Sequence, residues 1–350
     1  MIIDFKNFEN LSHRSNSGFE EKVLDFIKEW QSDSEMISVQ TSGSTGKPKI
    51  FEVEKSKMRI SANRTCDFFG LIEGDSALLC LPMGYISGKM MVVRSIERKL
   101  KLSVMEPSVK PLENLHLDID FCAMTPLQVE NSLDKIHFIN KLIIGGAEVS
   151  DNLKNKIFQV GSQKSEVGRV FETYGMSETL SHIALKEIYP INEEFFTILD
   201  GVEISTDERG CLRISAPKLN SEILQTNDLV ELKNEKQFRF LGRIDNVINS
   251  GGAKIFPEEL EQYVKKELRD SENISELVFI GIPDETLGQK LVLVIEGQED
   301  ECLKSAILNI NFEKSFQKPK EIFFIEKIPR TPNGKINRIK LISEIIELQN

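Results

Sequence analysis

Strand-like and helix-like segments alternate over the first half of this chain, and this alternation constrains the fold more than any other feature. Ser76–Leu81 is a nearly continuous apolar run, of the kind found in strands that are covered on both faces. Lys141–Ile144 is a second predicted strand, and apolar residues recur at helical spacing over 19–30, 56–69 and 89–98. Repeats of strand, loop and helix predict a layered α/β domain.

The pattern changes near Phe196, where short alternating strands replace the helices. We therefore expect a large layered α/β N-terminal domain over 1–242, closed by a β-rich subdomain over about 196–242. From 249 to 350 a helix and further strands predict a small α+β domain of about 100 residues, an ordinary size for an independent unit. The segment 243–248 joins the two domains.

Composition excludes several classes of protein. The chain has 350 residues, 40% of them hydrophobic, and a net charge of −11, which argues against a general nucleic-acid binder. It shows no signal-peptide core and no run long enough to cross a membrane, so we expect a protein of the reducing cytoplasm. The cysteines are scattered without metal-ligand spacing and are predicted to be mostly buried, reduced thiols; the oligomeric state stays open. They are Cys66, Cys80, Cys122, Cys211 and Cys302.

The segment Thr41–Lys49 is rich in hydroxyls and glycines and contains two lysines. Such a loop can ring a phosphate with hydroxyls and backbone N–H groups while a lysine supplies the countercharge. A flexible surface turn is the simpler alternative. A Walker A loop does not fit, because only Ser44 and Thr45 separate the glycines and the following Ile50–Val53 predicts a strand rather than a helix. The predicted phosphate-binding residues are Thr41, Ser42, Gly43, Ser44, Thr45, Gly46 and Lys47.

Further polar or glycine-rich segments are predicted to follow strands, where ligands bind in α/β domains. The small residues Gly145–Ala147 could let a flat ring lie against the backbone. In Thr173–Thr179, Tyr174 could stack on a base and Glu178 could bind magnesium, although a core aromatic and a solvated helix start are the simpler interpretations.

A carboxylate and a cation are predicted to approach each other in the β-rich region. Thr226–Asp228 is expected to follow a strand, and Gly242–Asp245 comes after the next hairpin. Asp228 and Arg243 could both bind ribose hydroxyls, but a structural ion pair is the more ordinary interpretation of such a pair.

These segments together resemble the adenylate-forming enzymes, which include acyl-CoA and aryl-CoA ligases, peptide-synthetase adenylation domains and firefly luciferase. The resemblance is collinear from residue 41 to 338 and depends on several motifs in the family's order. The motifs are Thr41–Lys49, Tyr174–Glu178, Thr226–Asp228, Gly242–Asp245 with Ser250–Glu261, and Pro329–Lys335.

The resemblance implies that a carboxylate attacks ATP to give an acyl-adenylate and that the thiol of coenzyme A then displaces AMP. Lys335 matches the adenylation lysine, although an exposed surface lysine is the alternative, and Glu178 matches the magnesium ligand. Asp245 matches the hinge of a mobile C-terminal domain. The remaining matches are ATP or AMP contacts at Gly145, Gly146, Ala147, Thr173, Tyr174, Gly175, Ser177, Asp228 and Arg243, and the coenzyme A tunnel at Ser250, Gly251 and Gly252.

Within this family the short stretch before residue 41 and the segment Leu81–Arg94 resemble the compact 2-succinylbenzoate-CoA ligases of menaquinone biosynthesis. Tyr85 stands where many members have His, and Ser177 stands where Thr is more usual. The implied acyl pocket consists of Tyr85, Ser87, Gly88, Lys89 and Arg94. Another aryl- or acyl-CoA ligase and an inactive adenylate-binding interaction protein are the alternatives.

The implied substrate has a second carboxylate, which needs a cation or several N–H donors. Lys89 and Arg94 are the candidates. Five positions apart on one predicted helix, they do not share a face well, and either could be a solvated surface residue.

Overall fold

A computed structural model describes residues 1–7, 15, 17–40, 50–163, 167–268, 276–330 and 336–349. The chain forms two compact units. The first comprises Met1–Ser205, Ile214–Leu224 and Leu232–Phe238, and the second comprises Thr206–Arg213, Gln225–Glu231 and Arg239–Asn350. This division differs from the predicted boundary between 242 and 249, because two segments of the β-rich region group with the C-terminal residues.

The first unit contains a layered α/β sheet, as the alternation of strands and helices predicts. Its strands are β1 (Ile2–Asp4), β2 (Met36–Gln40), β3 (Ile50–Glu54), β4 (Ser76–Leu79), β5 (Lys101–Val104), β6 (Phe121–Met124), β7 (Lys141–Ile144), β8 (Arg169–Gly175), β9 (His182–Tyr189) and β10 (Phe196–Ile198). Its helices are α1 (Gly18–Gln31), α2 (Lys55–Phe68), α3 (Ile86–Glu97), α4 (Pro126–Glu130) and α5 (Asp151–Gln163).

Strands β5, β4, β6, β7 and β8 lie side by side in that order and are parallel. β1 pairs antiparallel with β5 at one edge, and β9 pairs antiparallel with β8 on the other side. Ala77, Leu78 and Leu79 of β4 are completely buried, which confirms that this apolar run is covered on both faces. Strands β2 and β3 form a separate antiparallel ribbon.

The β-rich region contains β11 (Glu203–Thr206), β12 (Cys211–Ala216), β13 (Asn220–Asn234) and β14 (Gln237–Arg243). Phe196 of β10 pairs with Phe238 of β14 in the first unit. Strand β13 is much longer than the predicted Leu229–Leu232 segment, because its polar residues take part in the ladder as well as its apolar ones.

The C-terminal part of the second unit is a small α+β fold. Its elements are β15 (Ile248–Ser250), β16 (Ala253–Ile255), α6 (Pro257–Glu267), β17 (Leu277–Asp284), β18 (Gly288–Glu296), α7 (Glu301–Leu308), β19 (Glu321–Ile325) and α8 (Arg338–Gln349). Alternate residues of β17 enter two different cores, with Phe279 among the α6 and α7 side chains and Val278 among those of α8. The sheet is therefore covered on both faces.

Four of the cysteines, Cys66, Cys80, Cys122 and Cys211, are buried, whereas Cys302 at the start of α7 is exposed. All five are free thiols, so the prediction of reduced cysteines agrees with the structure and the prediction of burial holds for four. No helix among the described residues is long and apolar enough to cross a membrane.

Candidate functional site

Two predicted ligand-binding segments of the first unit, those at Gly145 and at Thr173, lie at the carboxyl ends of its parallel strands, beside the unpredicted Thr125. Thr125 directly follows β6, Gly145 follows β7, and Thr173 lies near the end of β8. The N–H of Gly145 donates to the carbonyl of Met124 at 3.1 Å, so the ends of β6 and β7 are directly joined. This is the edge at which open α/β sheets bind ligands.

Glycine is required at this edge because the chains approach so closely. A Cβ atom on Gly145 would lie 2.4 Å from Oγ1 of Thr173, far inside van der Waals contact. Gly146 has a φ of +88°, a conformation that side chains rarely adopt, and it is exposed. The edge therefore presents backbone rather than bulky side chains beside Ala147, and a flat ring fits such a surface.

Tyr174 and Glu178 lie at the end of β8 and just beyond it, as predicted. The half-buried ring of Tyr174 packs edge-on against Phe238, with centroids 5.0 Å apart and an interplanar angle of 80°. Glu178 is exposed in a 3₁₀ turn over Ser177–Thr179. The carboxylate of Glu178 can thus reach a ligand or a metal ion in solvent, and the tyrosine ring is supported from one side by the core.

A buried ionic group that the sequence analysis missed lies directly before these residues. Glu172 is 4% exposed; its Oε1 accepts a hydrogen bond from the N–H of Val149 at 3.0 Å, and its Oε2 pairs with Nζ of Lys186 at 2.9 Å. Burial alone would lower the pKa of Lys154, but Glu172 and Asp151 raise it above its usual value. Glu172 thus ties the segment after β7 to β8 and β9.

The predicted acyl pocket begins at the N-terminus of α3. This helix starts at Ile86, three residues before the predicted start, so Ser87 and Gly88 lie in its first turn. A Cβ atom on Gly88 would lie 2.4 Å from the carbonyl oxygen of Pro82, which explains the glycine. Tyr85 forms a β-bridge with Gln40, the last described residue before the predicted phosphate loop.

Lys89 and Arg94 contact different neighbours, as expected from their spacing. Lys89 is half-buried, and its Nζ donates to the carbonyl of Ser38 at 2.5 Å. Arg94 is 2% exposed, and its Nη2 donates to Oγ of Ser181 at 2.7 Å. Neither is a solvated surface residue.

Arg94 is a buried cation without a carboxylate ion-pair partner among the described residues. Its Nε has no hydrogen-bond partner in the described part of the chain. Burial lowers the pKa of Arg94 to about 10, so the guanidinium stays charged at neutral pH. Nε2 of the nearby His182 shares a hydrogen bond with Oγ1 of Thr65 at 3.1 Å. Burial, together with the charge of Arg94, lowers the pKa of this imidazole well below its usual value. A buried guanidinium without a countercharge is suited to an anionic ligand group.

In the second unit, the expected approach of Asp228 and Arg243 is confirmed, with Oδ1 and Nη1 3.2 Å apart. The prediction that Thr226–Asp228 follows a strand is wrong, since these residues lie inside β13. Oγ1 of Thr226 donates to the carbonyl of Leu212 and accepts from the N–H of Asp228, so the polar side chain is used within the strand.

The predicted hinge residue Asp245 lies in a 3₁₀ turn over Ile244–Asn246. Its Oδ2 pairs with Nη2 of Arg243 at 2.7 Å, and this contact holds the pKa of Asp245 below its usual value. Asn227 donates to the same carboxylate at 3.1 Å. The carboxylate therefore ties the turn to the middle of β13.

The predicted coenzyme A segment Ser250–Gly252 forms the turn between β15 and β16. Ser250 pairs with Ala253, and the two intervening residues Gly251 and Gly252 have φ values of +57° and +83°. Positive φ values at both central residues are the pattern of a type I′ hairpin turn, so these glycines have a conformational reason as well as the predicted functional one.

The phosphate-loop residues Thr41, Ser42, Gly43, Ser44, Thr45, Gly46 and Lys47 lie outside the described residues, and so does Lys335. The structure describes the residues on either side of these two segments. Segment 41–49 joins β2 to β3, which confirms a connection between two strands and argues against a Walker A loop. Segment 331–335 is flanked by a bridge between Arg330 and Ile336.

Comparisons with known proteins agree with this arrangement. The family model described as AMP-binding enzyme matches residues 2–201. A solved structure of an acyl-CoA synthetase (AMP-forming)/AMP-acid ligase II-like protein from Dyadobacter fermentans is 34% identical, with a TM-score of 0.64, over 99% of this chain and 100% of that one. A 2-succinylbenzoate–CoA ligase from Lactococcus lactis is 24% identical over 87% of this chain and 70% of its own length.

The fold is shared more widely. O-succinylbenzoate coenzyme A synthetase from Bacillus subtilis, solved in complex with ATP and magnesium ion, is 22% identical, with a TM-score of 0.71, over 87% of this chain and 69% of that one. The family model covers more than half of the chain, and the collinear motifs and the sheet edge described above agree with it. The chain therefore belongs to the family of AMP-binding enzymes.

Proposed function

We propose that the chain is an ATP- and Mg²⁺-dependent acid-thiol ligase that converts 2-succinylbenzoate into its coenzyme A thioester, as in menaquinone biosynthesis. The observation that carries the choice of substrate is Arg94. A buried guanidinium without a described carboxylate partner can bind the second carboxylate of a dicarboxylic acid, and a monocarboxylate would leave it unpaired. Relatives named 2-succinylbenzoate–CoA ligase, 24% to 26% identical to this chain, support the same choice.

The residues at the sheet edge fit an adenylate. In this proposal the backbone of Gly145–Ala147 and the ring of Tyr174 would hold the adenine ring, and the exposed carboxylate of Glu178 would hold the magnesium ion that neutralises charge on the phosphates. Asp228 and Arg243 bind the ribose hydroxyls. Lys335 supplies the cation for adenylation, and the segment 41–47 binds the departing phosphates.

The proposal includes a reducing cytoplasm, which the five free thiols support. The predicted hinge at Asp245 and the coenzyme A contacts at Ser250–Gly252 belong to the same proposal. They depend on rotation of a C-terminal domain between the two half-reactions.

The test is a pyrophosphate-exchange and thioester-formation assay with 2-succinylbenzoate, benzoate and medium-chain fatty acids. We expect 2-succinylbenzoate to be preferred by at least about a hundredfold, the effect of one well-placed charge-assisted contact in a buried site. Preference for a monocarboxylate would assign a different acyl- or aryl-CoA ligase. Absence of exchange with every acid would leave the inactive adenylate-binding protein.

Replacing Arg94 by Met separates the effect of this residue on substrate binding from its effect on the stability of the protein. An unpaired buried cation is costly to the free protein, so Arg94→Met should not lower the melting temperature. The same variant should raise the KM for 2-succinylbenzoate by at least about tenfold and leave the KM for ATP unchanged. Arg98→Met, which removes a partly exposed cation paired with Asp67 just beyond the same helix, is the matched control. An unchanged KM in Arg94→Met would refute the role of this residue.

A further inference from the structure

A chain of hydrogen bonds runs from Arg94 into the interior of the first unit. Nη2 of Arg94 donates to Oγ of Ser181 at 2.7 Å, and Oγ of Ser181 lies 3.3 Å from Nδ1 of His182. On the other side of the imidazole, Nε2 lies 3.1 Å from Oγ1 of Thr65. The hydroxyl of Thr65 donates to the carbonyl of Ser61, one turn earlier in α2, at 3.3 Å. His182 therefore links the cation on α3 to a second helix.

The two ends of this chain indicate where its protons lie. The guanidinium of Arg94 can only donate, so Oγ of Ser181 accepts there and has its own proton left for Nδ1 of His182. The hydroxyl of Thr65 gives its proton to a carbonyl, so its oxygen accepts from Nε2 of the ring. Both ends thus require the same neutral tautomer, with the proton on Nε2 and a lone pair on Nδ1.

A charged imidazole does not fit this place. His182 is 8% exposed, and Thr65 is completely buried. Burial, together with the charge of Arg94, lowers the pKa of His182 well below its usual value, so the ring is neutral at neutral pH. A neutral ring gives Ser181 an acceptor without adding a second positive charge beside the guanidinium.

The backbone that presents Ser181 and His182 is unusual. Leu180 has a φ of +64°, which is uncommon for a residue with a side chain. A Cβ atom on Gly175 would lie 2.5 Å from Cα of His182, so the start of β9 approaches the end of β8 more closely than any other residue would allow. Strained backbone persists only where the surroundings hold it, and it is concentrated at functional sites. This geometry agrees with a role at the site.

We propose that His182 is a positioning residue for Arg94. By accepting the proton of Ser181, the imidazole keeps the oxygen of that hydroxyl turned toward Nη2 and so fixes the orientation of the guanidinium. This inference rests on the proposed function, in which Arg94 binds the second carboxylate of the acid. In this role His182 acts through Ser181 and touches neither the acid nor ATP.

Two substitutions of His182 separate its two ring nitrogens. The amide oxygen of His182→Asn takes the place of Nδ1 and can still accept from Ser181, whereas the amide N–H of His182→Gln takes the place of Nε2 and can donate only to Thr65. We expect His182→Gln to raise the KM for 2-succinylbenzoate about tenfold, with kcat and the KM for ATP changed by less than about twofold. His182→Asn should raise the same KM by less than about threefold. The control His116→Gln replaces an exposed histidine of the same unit and should change none of these values.

The tautomer is measured independently of any substrate, by ¹⁵N NMR of the full chain labelled at histidine. The signals of His182, assigned by their loss in His182→Asn, should show a proton on Nε2 and none on Nδ1. A proton on Nδ1 would leave the hydroxyl of Ser181 free to turn and would overturn the inference.

A purely structural role predicts a different kinetic result. Equal rises of the KM for 2-succinylbenzoate in the Gln and Asn variants, or an equal rise of the KM for ATP, would overturn the inference and leave the proposed function standing. If neither variant folds, Thr65→Val removes the acceptor of Nε2 and should raise the KM for the acid at least about threefold, and Thr65→Ser should restore it. An unchanged KM in Thr65→Val would also overturn the inference. If the unaltered chain forms no thioester from 2-succinylbenzoate, the proposed function fails and the inference fails with it.

Discussion

Two buried glutamates, one in each unit, lie next to predicted site segments and are held in different ways. Glu172 directly precedes Thr173 in β8, and its partners, Val149 and Lys186, belong to the same unit and lie close to β8 in sequence. Glu261 lies on α6, and its main partner, Arg338, is 77 residues further along the chain. Each carboxylate accepts a hydrogen bond from one backbone N–H and forms an ion pair with one cationic side chain.

The two glutamates differ in what else holds their surroundings in place. Glu172 reinforces strands that are already paired through their backbones, so the sheet and the ion pair support the same arrangement. Glu261 and Arg338 join a helix, a strand and the start of another helix through side chains. We therefore expect the contacts of Glu172 to contribute mainly to the stability of the fold. The contacts of Glu261 should make that stability depend on pH.

The largest effect is expected from Glu172→Gln. This variant keeps the hydrogen bond from Val149 but leaves the largely buried Lys186, whose side chain is 13% exposed, without its countercharge, which should destabilise the fold by up to about 3 kcal/mol in urea unfolding. The double variant Glu172→Gln with Lys186→Met should recover most of that loss. A single variant within about 1 kcal/mol of the unaltered protein would contradict this account of the first unit.

The next effect concerns the pH dependence of Glu261. Its pKa in the folded chain is about 7, above the ordinary 4.5, so between these values the folded state holds a proton that the unfolded state releases. This group should therefore lower the stability as pH rises from 4.5 to 7, by at most about 3 kcal/mol. Glu261→Gln should lack this decline.

Unfolding measured at half-unit steps from pH 5 to 8 checks this prediction. The stability of Glu261→Gln relative to the unaltered chain should rise across the window and level off above pH 7. Parallel profiles for the two proteins would show that Glu261 does not titrate there.

A smaller effect is expected from Gly145→Ala. The added Cβ would meet Oγ1 of Thr173 at 2.4 Å, so Thr173 must change its rotamer, at a cost of about 1 to 3 kcal/mol. Thermal unfolding and the KM for ATP should both be affected. Adding Thr173→Ala should restore the stability, and its failure to do so would place the strain elsewhere.

The smallest effect is expected from Lys340→Ala. Lys340 pairs with Glu344 on the exposed face of α8, two residues after Arg338, and the side chains are 63% and 40% exposed. Exposed pairs contribute little, so the change in stability should stay below about 0.5 kcal/mol and both half-reactions should be unaffected. A loss of more than about 1 kcal/mol in this variant would contradict the account of Lys340 and Glu344 as an exposed pair.

The sequence predicts much of the first unit because its signals are local. Strands and the residues that follow them can be recognised from a few neighbouring residues. Examples are the apolar run at Ser76–Leu81, the glycines at 145–146 and the aromatic-carboxylate segment 173–179. Sequence reasoning could also have found Glu172, since it is a charged residue directly after the buried Val170 and Phe171.

Other features have no local signal. Glu261 and Arg338 look like ordinary charged residues of amphipathic helices, and only the packing of α6, β17 and α8 brings them together. The length of β13 exceeds the sequence-based expectation for a related reason: the hydroxyl of Thr226 donates to the carbonyl of Leu212 and accepts from the N–H of Asp228, so these polar residues are accommodated within an extended strand. Contacts of this kind depend on tertiary structure, which a single sequence pattern does not contain.

The ribbon of β2 and β3 has a consequence for local stability. A two-stranded sheet is marginal by itself, and this one gains support through the contacts of Ser38 with Lys89 and of Gln40 with Tyr85. Its amide protons should therefore exchange with deuterated solvent sooner than those of β7, which is paired on both sides. If segment 41–47 binds the phosphates of ATP, as we propose, then bound nucleotide should slow this exchange, and the ribbon would report on ligand binding before any chemistry takes place.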